Sequence, residues 1–131
     1  MKIIDTSLLD SVTEQATESP RLRMNHNFHD SMEAKSQRLL NALEPGTEIP
    51  IHRHRTTAET YILLRGTIGV LFYNNEREII ETIELNPLTG KYGVNIPAGE
   101  WHTLEVLETG TVIFEVKDGP YRALGDEDVL L

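Results

Sequence analysis

The chain has no cysteine in 131 residues. Disulfides, thiolate zinc sites and a cysteine nucleophile are thereby excluded, and a reducing, cytoplasmic location is expected. Long hydrophobic runs are missing too, so no segment approaches the roughly 20 apolar residues that span a bilayer. The opening MKIIDTSLLDSV meets Asp5 at once and lacks the sustained apolar stretch of a signal peptide. Positive charge is scarce: 12 Lys and Arg face 21 Asp and Glu, a net charge of −9. Such a chain repels nucleic-acid phosphates and an anionic membrane surface. A cation or a neutral-to-cationic small molecule is easier to attract, although a bound metal would reverse the field locally. No nucleophile elbow surrounds Ser7, Ser11 or Ser36, and no glycine-rich phosphate loop follows a strand.

The remaining composition, 39% hydrophobic and 25% charged, is ordinary for a globular chain of single-domain length. Residues 6–18 place Leu8, Leu9, Val12 and Ala16 at helical spacing, with Thr6 or Ser7 as cap and Pro20 as the stop. RLRMNHNF, residues 21–28, alternates instead: Leu22, Met24, His26 and Phe28 share one face, and Arg21, Arg23, Asn25 and Asn27 the other. That polar face either meets solvent or lines a pocket mouth, where Arg23, Asn25 and Asn27 would hold a hydroxyl-rich or anionic ligand. His26 reads as a core residue and His29 as a surface one. Helix propensity alone would suit SQRLLNAL, residues 36–43, up to the stop at Glu44-Pro45-Gly46.

Past Gly66 the pattern is short and β-rich. TIGVLFY and EIIETIEL make one hairpin through Asn74-Asn75. NPLTGK turns into YGVNIP, and HTLEVLE with TVIFEVK makes a second hairpin through Thr109-Gly110. Regular short strands without crossover helices predict an all-β antiparallel sandwich or barrel. Ile62 and Leu64 are apolar although Tyr61 and Leu63 share the face of Glu59, so the strand needs an outer cover, from the helix or a second subunit. The acidic tail YRALGDEDVLL would clasp a neighbour or fray.

The chemistry concentrates between Gly46 and Gly66, GTEIPIHRHRTTAETYILLRG. On a strand, His52 and His54 point the same way and Arg53 away from them. Glu59 has the opposite parity, which a turn through Arg55-Thr56-Thr57-Ala58 resets, so it leads the next strand facing the same spot. His102 follows the Pro97-Ala98-Gly99 turn and is a fourth donor. Neutral imidazoles with a carboxylate form a divalent-metal site. Three nitrogens and one oxygen suit Zn, Fe, Mn, Ni, Co or Cu, with about two positions of an octahedral ion left for water or substrate. Tyr61, of the same parity as Glu59, either packs in the core or faces the metal.

The stretch resembles the first cupin motif, G(X)5HXH(X)4E(X)6G, at every position from Gly46 to Gly66. The second motif, G(X)5PXG(X)2H(X)3N, keeps Pro97, Gly99 and His102. Six residues rather than five follow Gly90, and Val106 replaces its final Asn. SPRLRMNHNFHDS, SQRLLNALEPGT and FEVKDGPY are similar to the WbuC family of cupin-fold metalloproteins, over nearly the whole chain. The resemblance implies a small antiparallel jelly-roll barrel with a short N-terminal helix, and it makes residues 36–46 a strand. Residues 1–35 would be an extension packing on the barrel and residues 36–131 the barrel with its tail. It also implies one divalent transition metal per chain on His52, His54, Glu59 and His102, and a homodimer. The association of that family with surface-polysaccharide (O-antigen) gene clusters implies a sugar derivative as ligand. It favours an isomerase or epimerase, with a non-catalytic binding module or a dioxygenase as alternatives.

Overall fold

The computed structural model describes residues 1–131, with one α-helix and eight strands. Helix α1 (Thr6–Glu18) starts one residue earlier than the Thr/Ser cap expected from sequence. Asp5 is the N-cap, its carboxylate accepting from the Leu8 N–H at 2.9 Å. The helix stops at Ser19, whose extended backbone leads into Pro20. It is too short and too polar to cross a membrane, and no other helix is long and apolar enough to do so.

The strands are β1 (Arg23–Asn27), β2 (Ser36–Leu43), β3 (Glu59–Arg65) and β4 (Ile68–Tyr73). They continue with β5 (Ile79–Leu85), β6 (Gly93–Ile96), β7 (Trp101–Val106) and β8 (Thr111–Asp118). Two antiparallel sheets result, one of order β1-β2-β8-β3-β6 and one of order β5-β4-β7. This is the two-sheet, all-β jelly roll with a short N-terminal helix that the strand pattern and the resemblance led us to expect. Residues 36–43 form a strand despite their helix propensity. Alternate residues go to two different cores, Leu43 into the barrel and Leu40 and Ala42 under the helix, which a helical stripe could not do.

The main core lies between the sheets. Tyr61 and Leu63 of β3 and Ile113 of β8 meet Ile68, Val70 and Phe72 of β4 and Leu104 and Val106 of β7. A second core lies outside the larger sheet, where Val12 and Ala16 of α1 pack on Leu40, Ala42 and Val112. Arg65 ties the helix down, with Nη1 2.7 Å from Asp10 and Nη2 donating to Thr13 Oγ1 at 3.0 Å. The helix covers β1, β2 and β8 but leaves Ile62 and Leu64 of β3 40% and 37% exposed.

Three connections differ from the sequence expectation. The β4–β5 hairpin forms, but Arg77 rather than an asparagine carries the positive φ of 64°, and Asn74 Oδ1 accepts from the N–H groups of Glu76 and Glu78. β7 and β8 are not a hairpin: β7 pairs with β4 and β8 with β2 and β3, so Leu107–Gly110 crosses between the sheets. The tail does not run free of the fold. It returns to its own chain, with Leu130 N–H donating to Ile51 C=O at 2.8 Å and Val129 bridging to His52.

Candidate metal centre

The site is built from the inner faces of both sheets. In β3 the alternation buries Glu59, Tyr61 and Leu63. In β7 the register Phe72↔His102, Val70↔Leu104, Ile68↔Val106 puts His102 on the same inner layer as two core residues. His52 lies along the free edge of β7, joined to His102 by a reciprocal pair of backbone bonds. His52 N–H donates to His102 C=O at 3.0 Å and His102 N–H to His52 C=O at 2.9 Å. His54, two residues on, is directed to the same side as His52. One donor atom from each of His52, His54, Glu59 and His102 lies within 4.8 Å of the others. The parity argument is thus realised in space, with the turn after His54 bringing Glu59 round.

The glycines that bracket this stretch are conformational requirements. Gly46 and Gly66 have φ of +96° and +92°. At Gly66 a Cβ would also stand 2.7 Å from the Thr111 Cα, where β3 leaves the sheet beside β8.

Hydrogen bonds orient three of the four side chains. His52 Nδ1–H donates to Pro50 C=O at 2.9 Å, and His102 Nδ1–H to Glu100 C=O at 2.9 Å, which turns both Nε2 atoms inward. Tyr61 O–H donates to Glu59 Oε1 at 2.8 Å. His102 Nε2 is 2.8 Å and His54 Nε2 3.4 Å from that same oxygen. His102 is 1% exposed and both its ring nitrogens face acceptors, whereas a neutral imidazole has one N–H to give. A cation between Nε2 and the carboxylate resolves that mismatch, so the residues present fit a bound divalent metal.

The electrostatics agree. Burial lowers the His52 pKa to about 4, helped by the nearby His102 ring, so His52 is neutral and a competent donor near pH 7. Burial would raise the Glu59 pKa, but hydrogen bonds from His102 and His54 outweigh it and hold the carboxyl below its usual range. Burial, then the Glu59 charge, pushes Tyr61 well above its ordinary value, leaving a neutral phenol that can only donate to Glu59.

Tyr61 therefore touches the cluster. Arg23, Asn25 and Asn27 do not reach it: they lie on β1, separated from β3 by β2 and β8. Arg23 Nη1 donates to Glu48 C=O at 2.9 Å and Thr47 Oγ1 at 3.3 Å, and Asn25 and Asn27 are exposed. Residues unremarkable in the sequence do line the interior. Glu115, register partner of Tyr61, has its pKa raised to about 7 by burial and then by the Glu59 charge, against a hydrogen bond from Asn41 Nδ2 at 3.4 Å. Lys117, register partner of Glu59, stands at the barrel mouth. Alternation along TVIFEVK holds this information, but only once the inner face of β8 is known. Next to His54 a cavity of about 530 Å³ opens, lined also by Arg53, Arg55, Lys117 and Arg122.

No curated protein matches the chain by sequence. Among solved structures, the cupin domain of Cnp3 from Schizosaccharomyces pombe superposes with a TM-score of 0.58 at 11% identity, over 73% of this chain and 64% of that one. TT1209 from Thermus thermophilus gives 0.62 at 22% identity, over 90% of this chain and 97% of that one. The capsular polysaccharide assembling protein CapF from Staphylococcus aureus gives 0.58 at 20% identity, over 86% of this chain but 29% of its own length. This chain thus spans just under two thirds of the Cnp3 chain and less than a third of CapF. These likenesses establish a cupin fold. The model of the family described as a domain of unknown function, DUF6016, matches residues 4–85, more than half of the chain and all of the stretch from Gly46 to Gly66. The chain belongs to that DUF6016 family, and its architecture is that of the cupins.

Proposed function

We propose that this is a metal-dependent cupin enzyme acting on a small oxygenated molecule, such as a sugar derivative of surface-polysaccharide metabolism. One observation carries the reading: three imidazoles and a carboxylate converge within 4.8 Å, with two Nε2 atoms turned inward by backbone carbonyls. His52, His54, Glu59 and His102 would hold one divalent transition metal, and such an ion supplies Lewis acidity toward a substrate oxygen. Tyr61 would fix the Glu59 carboxylate, and the barrel walls would exclude bulk water. The resemblance to the WbuC family supports the polysaccharide assignment, as does the fold shared with a capsular polysaccharide assembling protein. An isomerase or epimerase is the reaction type that the resemblance favours, in the cytoplasm. A homodimer belongs to the same reading, formed over Ile62, Leu64 and the exposed Tyr92, which α1 leaves uncovered.

The test is elemental analysis of the untagged protein beside the His52→Ala/His54→Ala variant, followed by sugar-turnover assays. About one metal ion per chain, lost in the variant, with turnover abolished in folded His54→Ala, is the expected result. Tight binding without product would replace the enzyme by a metal-anchored binding module. Oxygen uptake with iron bound would replace it by a dioxygenase. Little metal in either protein after reconstitution would overturn the centre itself.

A further inference from the structure

Resting on that reading of the centre, we propose that its ligand carries an anionic group, a phosphate or carboxylate, which Lys117 and Arg122 hold in the cavity beside His54. The cavity measures about 530 Å³, the size of a small-molecule site, and shares His54 with the metal cluster. Its charged lining is four cations, Arg53, Arg55, Lys117 and Arg122, against Asp118 and Asp128. That balance runs against a chain of net charge −9, so the basic residues are concentrated at this mouth.

The four cations are not equivalent. Arg55 is neutralised by the chain itself, with Nη2 2.6 Å from Glu127 and Nε 2.8 Å from Asp128. Arg53 lies over the Trp101 ring at 4.3 Å, donates to Glu127 C=O at 3.0 Å and has Nε 3.6 Å from Asp128. The returning tail thus places its carboxylates on these two arginines. Lys117 and Arg122 take part in none of the ion pairs of the molecule. Lys117 is opposite Glu59 in the β3–β8 register and on the same inner face, with its ammonium 5.9 Å from the Tyr121 ring centre. A sugar acid or sugar phosphate bound there would set its anion on Lys117 and Arg122 and turn a hydroxyl or carbonyl oxygen toward His54.

The experiment is titration calorimetry with glucose 1-phosphate, glucuronate and glucose, on wild type and on Lys117→Ala/Arg122→Ala, at about 50 mM salt. Both side chains are at the cavity mouth, and thermal melts verify that the variant is folded. At least one anionic sugar is expected to bind wild type about tenfold more tightly than glucose, and to lose that advantage in the variant. The tighter of the two anions identifies phosphate or carboxylate as the recognised group. Raising salt on wild type should weaken the anion and leave glucose unchanged, a check that needs no substitution. Equal affinity for glucose, an unaffected variant, or no binding of either anion would overturn the proposal. Metal content separates the two readings: its absence would sink the metal centre, whereas a wild type that holds metal yet binds glucose as tightly as either anion would sink the anion site alone.

Discussion

Replacing Glu115 by glutamine removes a carboxyl that the barrel keeps protonated longer than the unfolded chain does. Burial, then the Glu59 charge, raises its pKa from 4.5 to about 7. Between these values native Glu115 retains a proton that the unfolded chain has released, so its contribution to stability falls as pH rises and levels off above about 7. At about 1.4 kcal/mol per pKa unit, the full cost is about 3 kcal/mol. Glutamine keeps an oxygen for Asn41 Nδ2 and nearly the same volume, without the charge. His52 acts in the opposite direction: its native pKa of about 4 lies below 6.5, so its contribution is lost as pH falls through that range. The wild-type profile mixes both trends, and the difference between variant and wild type isolates Glu115. Urea unfolding of chelator-treated proteins at about pH 5, 6, 7 and 8 provides that difference. Glu115→Gln should gain little at the acid end and about 3 kcal/mol at the alkaline end. A difference that is constant, or that shrinks with rising pH, would show that the carboxyl is ionised throughout and refute the reasoning.

Other perturbations follow from the same contacts. Tyr61→Phe deletes the 2.8 Å donor to Glu59, and should weaken zinc binding about tenfold in a chelator competition while the fold persists. Gly66→Ala combines a left-handed backbone with a clash on Thr111, and should cost about 3 kcal/mol or more in urea unfolding. Leu40→Ala opens a cavity beneath α1 and should cost about 2–5 kcal/mol by the same assay, with metal content unchanged because the site belongs to the other core.

The convergence of His52, His54, Glu59 and His102 was legible because its information is local: spacing within Gly46–Gly66 sets parity, and His102 follows a turn of recognisable chemistry. The β-strands were legible from alternation, and β2 needed the family resemblance to overrule its helix propensity. What stayed hidden depends on partners remote in sequence. A short polar turn between Val106 and Thr111 looks the same whether it closes a hairpin or carries the chain to the opposite sheet. The tail acquired its place from Arg53, Arg55 and Ile51, more than 70 residues earlier. Glu115 and Lys117 did not stand out in the sequence, because the alternation along β8 does not say which face is the interior.

The orienting contacts around the four donors are unequal. His52 and His102 share one main-chain rung and each has a carbonyl behind its ring, and Glu59 is held by a phenol. The His54 ring has no such support; its only polar partner is the Glu59 carboxylate at 3.4 Å. The cluster therefore consists of three braced donors and one unbraced arm. That arm also borders the cavity, so a ligand entering the cavity and an ion held by the cluster would both act on a single imidazole.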